Sequence, residues 1–405
     1  MNADVWQMPP RPADAIRQYG EAADAMAADP SAFSLDPGTL NQRLAERDSG
    51  PLPDGLARMA IAAHTEGRLN PLGRRTIGAM LMALARGRQR QATYLQDQPG
   101  IAQRPIRRPV FIVGGWRTGT TLLHRLLAHV AGLRAPRYWE LSNPFAANEA
   151  DPEKRSKLVG RAQAMHDFQY SLNPTKQIVH PSGADLPEEC VVAMGKDGLN
   201  WALTATAWMP SYAAWLQDQD FTGSYQRHRE ILQIIQGETP QRWLLKAPAH
   251  SGELAALLKV YPDAHIIHLH RDVVETVTSG ASLFAVFHAT YSDHIDAEAI
   301  GTYQLETLAL WFQRAMAARN DAPATANIVD VSYKDLVAAP LATARGILAA
   351  VDHDCTDTDQ AGMTDYLASN QQHKILRHAY SPAQFGLDPG MVREKFVDYS
   401  RRFGV

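Results

Sequence analysis

Cysteine is nearly absent: Cys190 and Cys355 are the only two in 405 residues. They lie far apart in the chain, which excludes a disulfide framework or a thiolate zinc site, since both need neighbouring thiols. Charge imbalance is missing too. Forty basic side chains against 43 acidic ones leave a formal net charge of -3, so there is no broad positive field of the kind nonspecific nucleic-acid binders use. Any anion must be held by a local arrangement. No apolar run approaches the roughly 18 uncharged residues of a membrane span, and the opening stretch MNADVWQMPPRPADAIRQYG has no basic segment leading into an apolar core. The 15 histidines are scattered, with no H-E-x-x-H or comparable ligand spacing. The expectation is a soluble protein of the reducing cytoplasm with no metal, no nucleic-acid partner and no transmembrane segment.

What is present is a change of pattern near residue 105. From about residue 10 to 100 the apolar spacing is helical, as in LARMAIAAHTEG and RRTIGAMLMALARGRQRQATYL, broken by DPG, SGPLPDG and NPLG. After the proline-flanked stretch AQRPIRRP, short β-branched runs each lead into a helical pattern. VFIVGG precedes TTLLHRLLAHVAG, RWLLKAP precedes HSGELAALLKVYP, AHIIHLHRD precedes VVETVTSGASLFAVF, and ANIVDVSY precedes KDLVAAPLATARGILAAV. Strands joined by helices specify an α/β fold with a central parallel sheet flanked by helices. We expect a helical amino-terminal extension over residues 1–104, packed on an α/β domain over residues 105–405. Residues of about 150–235, rich in Trp and Tyr (WALTATAWMPSYAAWL), are expected to form a mostly helical insertion.

The stretch GGWRTGTT, residues 114–121, follows the first strand and opens a helix. Gly114 and Gly119 have the spacing of the phosphate loop G-x-x-x-x-G-K-[ST], which makes the sheet P-loop-NTPase-like, but Thr120 stands where that motif has lysine. A strand feeding a helix through glycines presents backbone N–H groups to an anion, and the helix dipole adds to the attraction. Without the lysine that reaches the β- and γ-phosphates, ATP or GTP chemistry is disfavoured. Arg117 and the hydroxyls of Thr118, Thr120 and Thr121 are there instead. A glycine turn with a surface arginine would read the same in isolation. The third unit argues for more: HLHRDVVETVTSG places Arg271 at the end of a strand and Ser279 two helical turns on, at a spacing that would let both serve a second phosphate.

FIVGGWRTGTTLLHRLL resembles the 5'-phosphosulfate loop of the sulfotransferases that use 3'-phosphoadenosine 5'-phosphosulfate (PAPS), and LHRDVVETVTS resembles their 3'-phosphate motif. WLLKAPAHSGELAALLKVYPDAHIIHLHRD is similar throughout to the large bacterial branch of that family, and HAYSPAQFGLD resembles its cofactor-covering tail, here at about 370–400. The resemblance spans roughly residues 108–400, with two departures: Trp116 replaces the usual loop proline and Val273 stands where a proline commonly follows the Arg-Asp pair.

It implies metal-independent transfer of a sulfuryl group from PAPS to a hydroxyl, releasing PAP. The 5'-phosphosulfate would be held by Gly115, Trp116, Arg117, Thr118, Gly119, Thr120 and Thr121, the 3'-phosphate by Arg271 and Ser279, and the covering tail would contribute His378 and Tyr380. Lys246, closing the strand RWLLKAP, matches the family's lysine facing the leaving group, although a strand-end lysine is also an ordinary surface residue. For the base that takes the acceptor proton, Glu140 in RYWELSNPF sits where several branches carry a glutamate, at the end of a possible strand. His124, His180, Glu188 and Glu189 are the rivals. The insertion would cap the acceptor side, and SLFAVFHATYS suggests an apolar cleft for a small or lipid-like hydroxylated acceptor, although aromatic stripes also serve as core. Two other readings stay open: an atypical P-loop kinase with Asp272 as a magnesium ligand, and a noncatalytic PAP-binding module.

Overall fold

The computed structural model describes residues 5–238, 241–371 and 379–405. Four helices come first: α1 (Ala13–Ala28), α2 (Pro37–Ala45), α3 (Asp54–Thr65) and α4 (Pro71–Asp97). Both α2 and α4 start on a proline, where the missing N–H costs nothing, directly after Asp36 and Asn70. Those two side chains accept from the free N–H groups of Thr39 and Gly73, which is why the helices begin there. The chain then alternates: β1 (Val110–Gly114), α5 (Thr120–Leu127), β2 (Leu133–Arg134), α6 (Tyr138–Ser142), α7 (Pro152–Leu172), α8 (Thr175–Val179), α9 (Pro210–Gln217), α10 (Thr222–Gln236), β3 (Arg242–Lys246), α11 (Leu254–Val260), β4 (His265–His270), α12 (Val273–His288), α13 (Ala297–Asn320), β5 (Asn327–Ser332), α14 (Tyr333–Ala338), α15 (Pro340–Ala350), α16 (Asp357–Gln371), α17 (Pro389–Lys395) and α18 (Val397–Phe403).

The strands form one sheet in the order β2-β3-β1-β4-β5, parallel at every pairing. From β1 the chain winds outward to β2, returns to β3, then passes β1 to reach β4 and β5. The winding reverses beside β1, which leaves a crevice beyond the carboxyl ends of β1 and its neighbours, the usual ligand position in open α/β sheets.

Side-chain alternation divides the interior into two cores. Phe111, Val113, Trp243, Leu245 and Ile266 face the larger, which also takes in Leu35, Leu56, Met59, Ile77 and Leu81 from the amino-terminal helices. Val110, Ile112, Leu244, Ile267 and Leu269 face the smaller, closed by Leu123, Leu126 and Leu127 of α5 and Ile347 and Leu348 of α15. The carboxyl-terminal helix α18 is held against β4: the Tyr399 hydroxyl lies 2.6 Å from His270 Nδ1, and the Phe403 ring stacks on that imidazole at 3.7 Å. Among the described residues no helix is long and apolar enough to cross a membrane.

Four strands stand where the sequence patterns put them. The fifth, β2, spans two residues, too few for any periodicity to register, and Glu140 lies in the one-turn helix α6 beyond it rather than at a strand end. The insertion is mostly helical, through α7, α8, α9 and α10. Helices α7 and α10 bracket it, but residues 180–209 are mostly turns and single 3-10 turns, interrupted by Pro181, Pro187, Gly195 and Gly198.

Candidate active site

The loop after β1 is built around two glycines. Gly119 has φ +92°, and a Cβ there would meet Leu336 Cδ2 at 3.0 Å; at Gly115 a Cβ would meet Thr276 Cγ2 at 2.5 Å. Only glycine suits both the conformation and the space. Arg117 adopts φ +60° between them, a left-handed conformation that costs a non-glycine residue on the order of 1 kcal/mol and recurs at functional loops. Contacts on both sides hold it there: its Nη1 donates to the Val179 carbonyl at 2.8 Å, and its own carbonyl accepts from Arg271 Nη1 at 2.7 Å. The two anion motifs of the sequence therefore touch. Arg271 is further fixed by Glu275 at 2.5 Å and by the Tyr333 ring, 4.4 Å beneath its guanidinium.

This loop opens onto a cleft of about 2110 Å³. Trp116, Arg117, Gly119, Thr120, Thr121 and Arg271 line one end, and Glu188, Glu189 and His180 the adjoining wall. Beyond them the cleft runs between Leu283, Phe284, Phe287 and Tyr291 of the α12 side, Met165, His166, Phe168 and Gln169 of α7, and a face of α4 that carries Ala79, Met80, Ala83 and Leu84. The amino-terminal helices thus form a wall of the cleft. Trp116, which replaces the usual proline, is 7% exposed; its indole packs edge-on against Phe284 at 5.5 Å and tilted against Trp311 at 5.2 Å, and these ring contacts anchor the loop.

The ammonium absent from the loop comes from the neighbouring strand. Parallel pairing sets Lys246 of β3 opposite Ile112 of β1, and alternation points it to the face covered by α5. Its Nζ lies 2.5 Å from Glu189 Oε1 and 3.4 Å from Thr121 Oγ1, in the first turn of α5. Lys246 is 1% exposed, immediately behind the wall that Thr121 and Glu189 present to the cleft. Glu188, next in the chain, accepts from the Ser182 hydroxyl and stands 4.0 Å from His180 Nε2. Burial pushes the Glu188 carboxyl up, but His180, Lys246, the Ser182 hydroxyl and the Glu189 amide outweigh it and the net shift is downward. Burial also lowers the pKa of His180, against the pull of both glutamates.

Other sequence candidates fall elsewhere. The Glu140 carboxylate accepts from Arg134 Nη2 at 2.6 Å and from the Arg137 amide at 2.8 Å, so it caps α6 and is absent from the cleft lining. His124 is fully buried between α5 and the sheet, its Nε2 donating to the Leu244 carbonyl at 3.2 Å; burial first, and Lys246 second, depress its pKa to about 3. The helical turn that separates it from the loop rotates it inward, away from the cleft. Ser279 lies in α12 and is 2% exposed, while Arg271 directly precedes that helix and donates to the loop carbonyl of Arg117. Thr118 is buried and donates to the Gly115 carbonyl at 2.9 Å, bracing the turn. Asp272 accepts from the Glu275 amide at 3.0 Å as the cap of α12. Tyr380 packs against the larger core, and His378 lies outside the described residues.

Some contributors left no motif. Ser251 takes the Gly114 N–H and donates back to its carbonyl, each at 3.0 Å, locking the end of β1. Tyr333 ends the run VDVSY, and its place at a strand's carboxyl end was the available signal. Spacing also concealed two potential metal-ligand groups, His180 with Glu188 and Glu189, and His268 with His270 and Asp330. Each already contains a side-chain cation that would compete with a metal ion: Lys246 in the first, and Arg319, 2.6 Å from Asp330, in the second.

Comparison with known proteins agrees with this geometry. The model of the sulfotransferase family matches residues 109–357. The chain is 26% identical over 315 residues to the omega-hydroxy-beta-dihydromenaquinone-9 sulfotransferase Stf3 of Mycobacterium bovis, covering 73% of this chain and 75% of that protein. Among solved structures, sulfotransferase STF9 from Mycobacterium avium superposes with a TM-score of 0.77 at 25% identity, over 90% of this chain and 96% of that one. Sulfotransferase STF1 from Mycobacterium tuberculosis H37Rv does so with a TM-score of 0.73 at 28% identity, over 98% and 100%, so the likeness takes in the amino-terminal helices as well as the sheet. With the family model spanning more than half of its length, the chain belongs to the sulfotransferase family.

Proposed function

We propose that the protein transfers the sulfuryl group of PAPS to a hydroxyl of a small or lipid-like acceptor, without a metal ion. The observation that carries this reading is the position of Lys246. A triphosphate loop keeps its lysine within the loop, where it reaches the outer phosphates; here the ammonium rises from β3 to the base of the loop, beside Thr121. The glycine turn, the amino terminus of α5 and Arg117 would hold the 5'-phosphate, and Arg271 the 3'-phosphate. The sulfuryl group carries less charge than a terminal phosphoryl group, so these donors suffice without magnesium.

In this reading the Lys246–Glu189 pair is the resting arrangement. A phosphosulfate on the loop would draw Lys246 toward the oxygen that leaves with PAP, where negative charge develops. That frees Glu189 to accept the acceptor's proton. The sulfur–oxygen bond to the phosphate breaks as the bond to the acceptor oxygen forms, and the proton passes to the carboxylate. Glu189 is preferred to Glu140 because it lines the cleft and Glu140 does not. His180 and Glu188, 4.0 Å apart, stand beside it as the second-choice pair.

The cleft supports a lipid-like acceptor by its size and its Leu283, Phe284 and Phe287 wall, and the Stf3 relative is named for a menaquinone derivative. We assign residues 1–104 to an extension that walls this cleft through α4, and the two unpaired thiols suit a reducing cytoplasm. The test is twofold. PAP should raise the melting temperature in the presence of EDTA, by mass action on the folded state, and radiolabelled sulfuryl should pass from PAPS to a hydroxylated lipid or phenol under the same conditions. Stabilisation by ATP with magnesium that far exceeds that by PAP would favour the kinase reading. PAP binding with no transfer across a broad acceptor screen would favour the noncatalytic module.

A further inference from the structure

Beyond the reacting pair, the cleft contains a cation with no function in the transfer itself. Lys176 of α8 is 8% exposed, and its one hydrogen bond among the described residues goes to Gln169 Oε1 at 2.9 Å. No carboxylate among those residues pairs with it. Its Nζ instead faces two aromatic rings, 5.0 Å from the centroid of Phe287 and 5.7 Å from that of Tyr291. Ring faces soften the loss of hydration without neutralising the charge. A buried ammonium left so is costly unless an anion completes it. Burial lowers the pKa of Lys176 to about 8, so the charged form still predominates at neutral pH.

A second group beside it is incomplete as well. His166 of α7, also 8% exposed, has a buried Nε2 with no hydrogen-bond partner among the described residues. It is near enough to Lys176 and to Glu188 to feel both charges. Lys176, His166 and Gln169 all line the cleft. The Phe287 ring lies between them and the reacting end: it faces Lys176 and meets the His180 ring edge-on at 6.1 Å.

We propose that Lys176, with His166 and Gln169, is an acceptor-recognition subsite, and that the acceptor is an apolar-bodied alcohol or phenol carrying a carboxylate or comparable anionic oxygen. The anion would sit against the ammonium while the hydroxyl, a ring system away, reaches Glu189. This rests on the sulfotransferase reading for the position of the reacting hydroxyl, but the subsite can be tested without turnover.

The probes are 6-hydroxy-2-naphthoate and its methyl ester, which share shape and hydroxyl and differ in charge. Their binding to the PAP-loaded protein is measured by calorimetry. The wild type should prefer the acid by about tenfold or more, the order expected for one charge-assisted contact. Lys176→Met, of similar length and uncharged, should reduce that preference to within about twofold, and Lys176→Arg should keep most of it. An unchanged PAP-induced thermal shift in Lys176→Met shows that the fold and nucleotide end are intact. Equal wild-type affinity for the two probes, or a preference that survives Lys176→Met, overturns the subsite. Loss of PAP binding in the wild type would instead overturn the underlying reading of the loop.

Discussion

Glu189→Gln and Lys246→Met, separately and together, probe the same contact from both sides. The pair is 2.5 Å apart, with side chains 2% exposed for Lys246 and 12% for Glu189. Removing one member of a buried ion pair costs about 3–5 kcal/mol, chiefly by leaving the other charge uncompensated. Glu189 lines the cleft, where water can solvate it, so Lys246→Met should fall near about 3 kcal/mol. Glu189→Gln leaves an ammonium behind the wall with Thr121 for company, and should cost about 4 kcal/mol. The double variant leaves neither charge stranded, so its cost should fall short of the sum by about 2 kcal/mol or more. Urea unfolding with and without PAP reads all of this. At about 100 times its Kd, PAP should stabilise the wild type by about 2.7 kcal/mol. If Lys246 turns to the phosphate, PAP supplies Glu189→Gln with the anion it lost, and the increment there should exceed the wild-type value by about 1 kcal/mol. In Lys246→Met it should fall short. Equal PAP increments across the three proteins would refute the exchange of Glu189 for phosphate, and single costs below about 1 kcal/mol would refute the buried pair.

Glu140→Gln should keep turnover within about threefold while costing about 1–2 kcal/mol in unfolding free energy, because it weakens a helix cap and its arginine contact; a turnover loss beyond about 100-fold would return the base role to Glu140. Arg271→Ala should weaken PAP binding by about 2 kcal/mol through the lost phosphate contact and the loosened loop carbonyl, and unchanged affinity by calorimetry would remove Arg271 from the nucleotide end. Glu253, which accepts from Trp201 Nε1 and pairs with Arg314, each at 3.0 Å, has its pKa raised by burial to about 7 from 4.5. The folded protein therefore holds a proton that the unfolded chain releases between those values, and stability falls as pH rises through that window, by on the order of 3 kcal/mol. Glu253→Gln should flatten this slope; an identical pH dependence of the urea midpoint in the variant would show that Glu253 titrates normally.

The sheet was legible because its long strands are short apolar runs, each followed by a helical pattern, and such runs admit one parallel architecture. The loop was legible because positive φ and close approach demand glycine at fixed spacing. The surroundings of the candidate carboxylates were harder to read. Glu140 and Glu189 both follow proline-containing turns among apolar residues, and nothing local distinguishes a carboxylate that caps its own helix from one that meets a lysine 57 positions away.

The replacement of the loop lysine by Thr120 is the clearest case of information divided between distant segments. Lys246 and Thr121 stand 125 positions apart, and only the register of β3 on β1 brings them together. That register also limits what the ammonium can do. A lysine within the loop sits at its outer end, reaches the β- and γ-phosphates, and goes with a magnesium ion. A lysine rising from the adjacent strand is fixed in depth, held by the pleat opposite Ile112, and reaches only the base of the first helical turn. In the proposed reaction a group bound there would be one phosphate from the loop, the position of a phosphosulfate and not of a terminal phosphoryl group. On that proposal, moving the lysine from loop to strand changes the bond it could act on, while the glycine cradle proposed to hold the first phosphate stays in place.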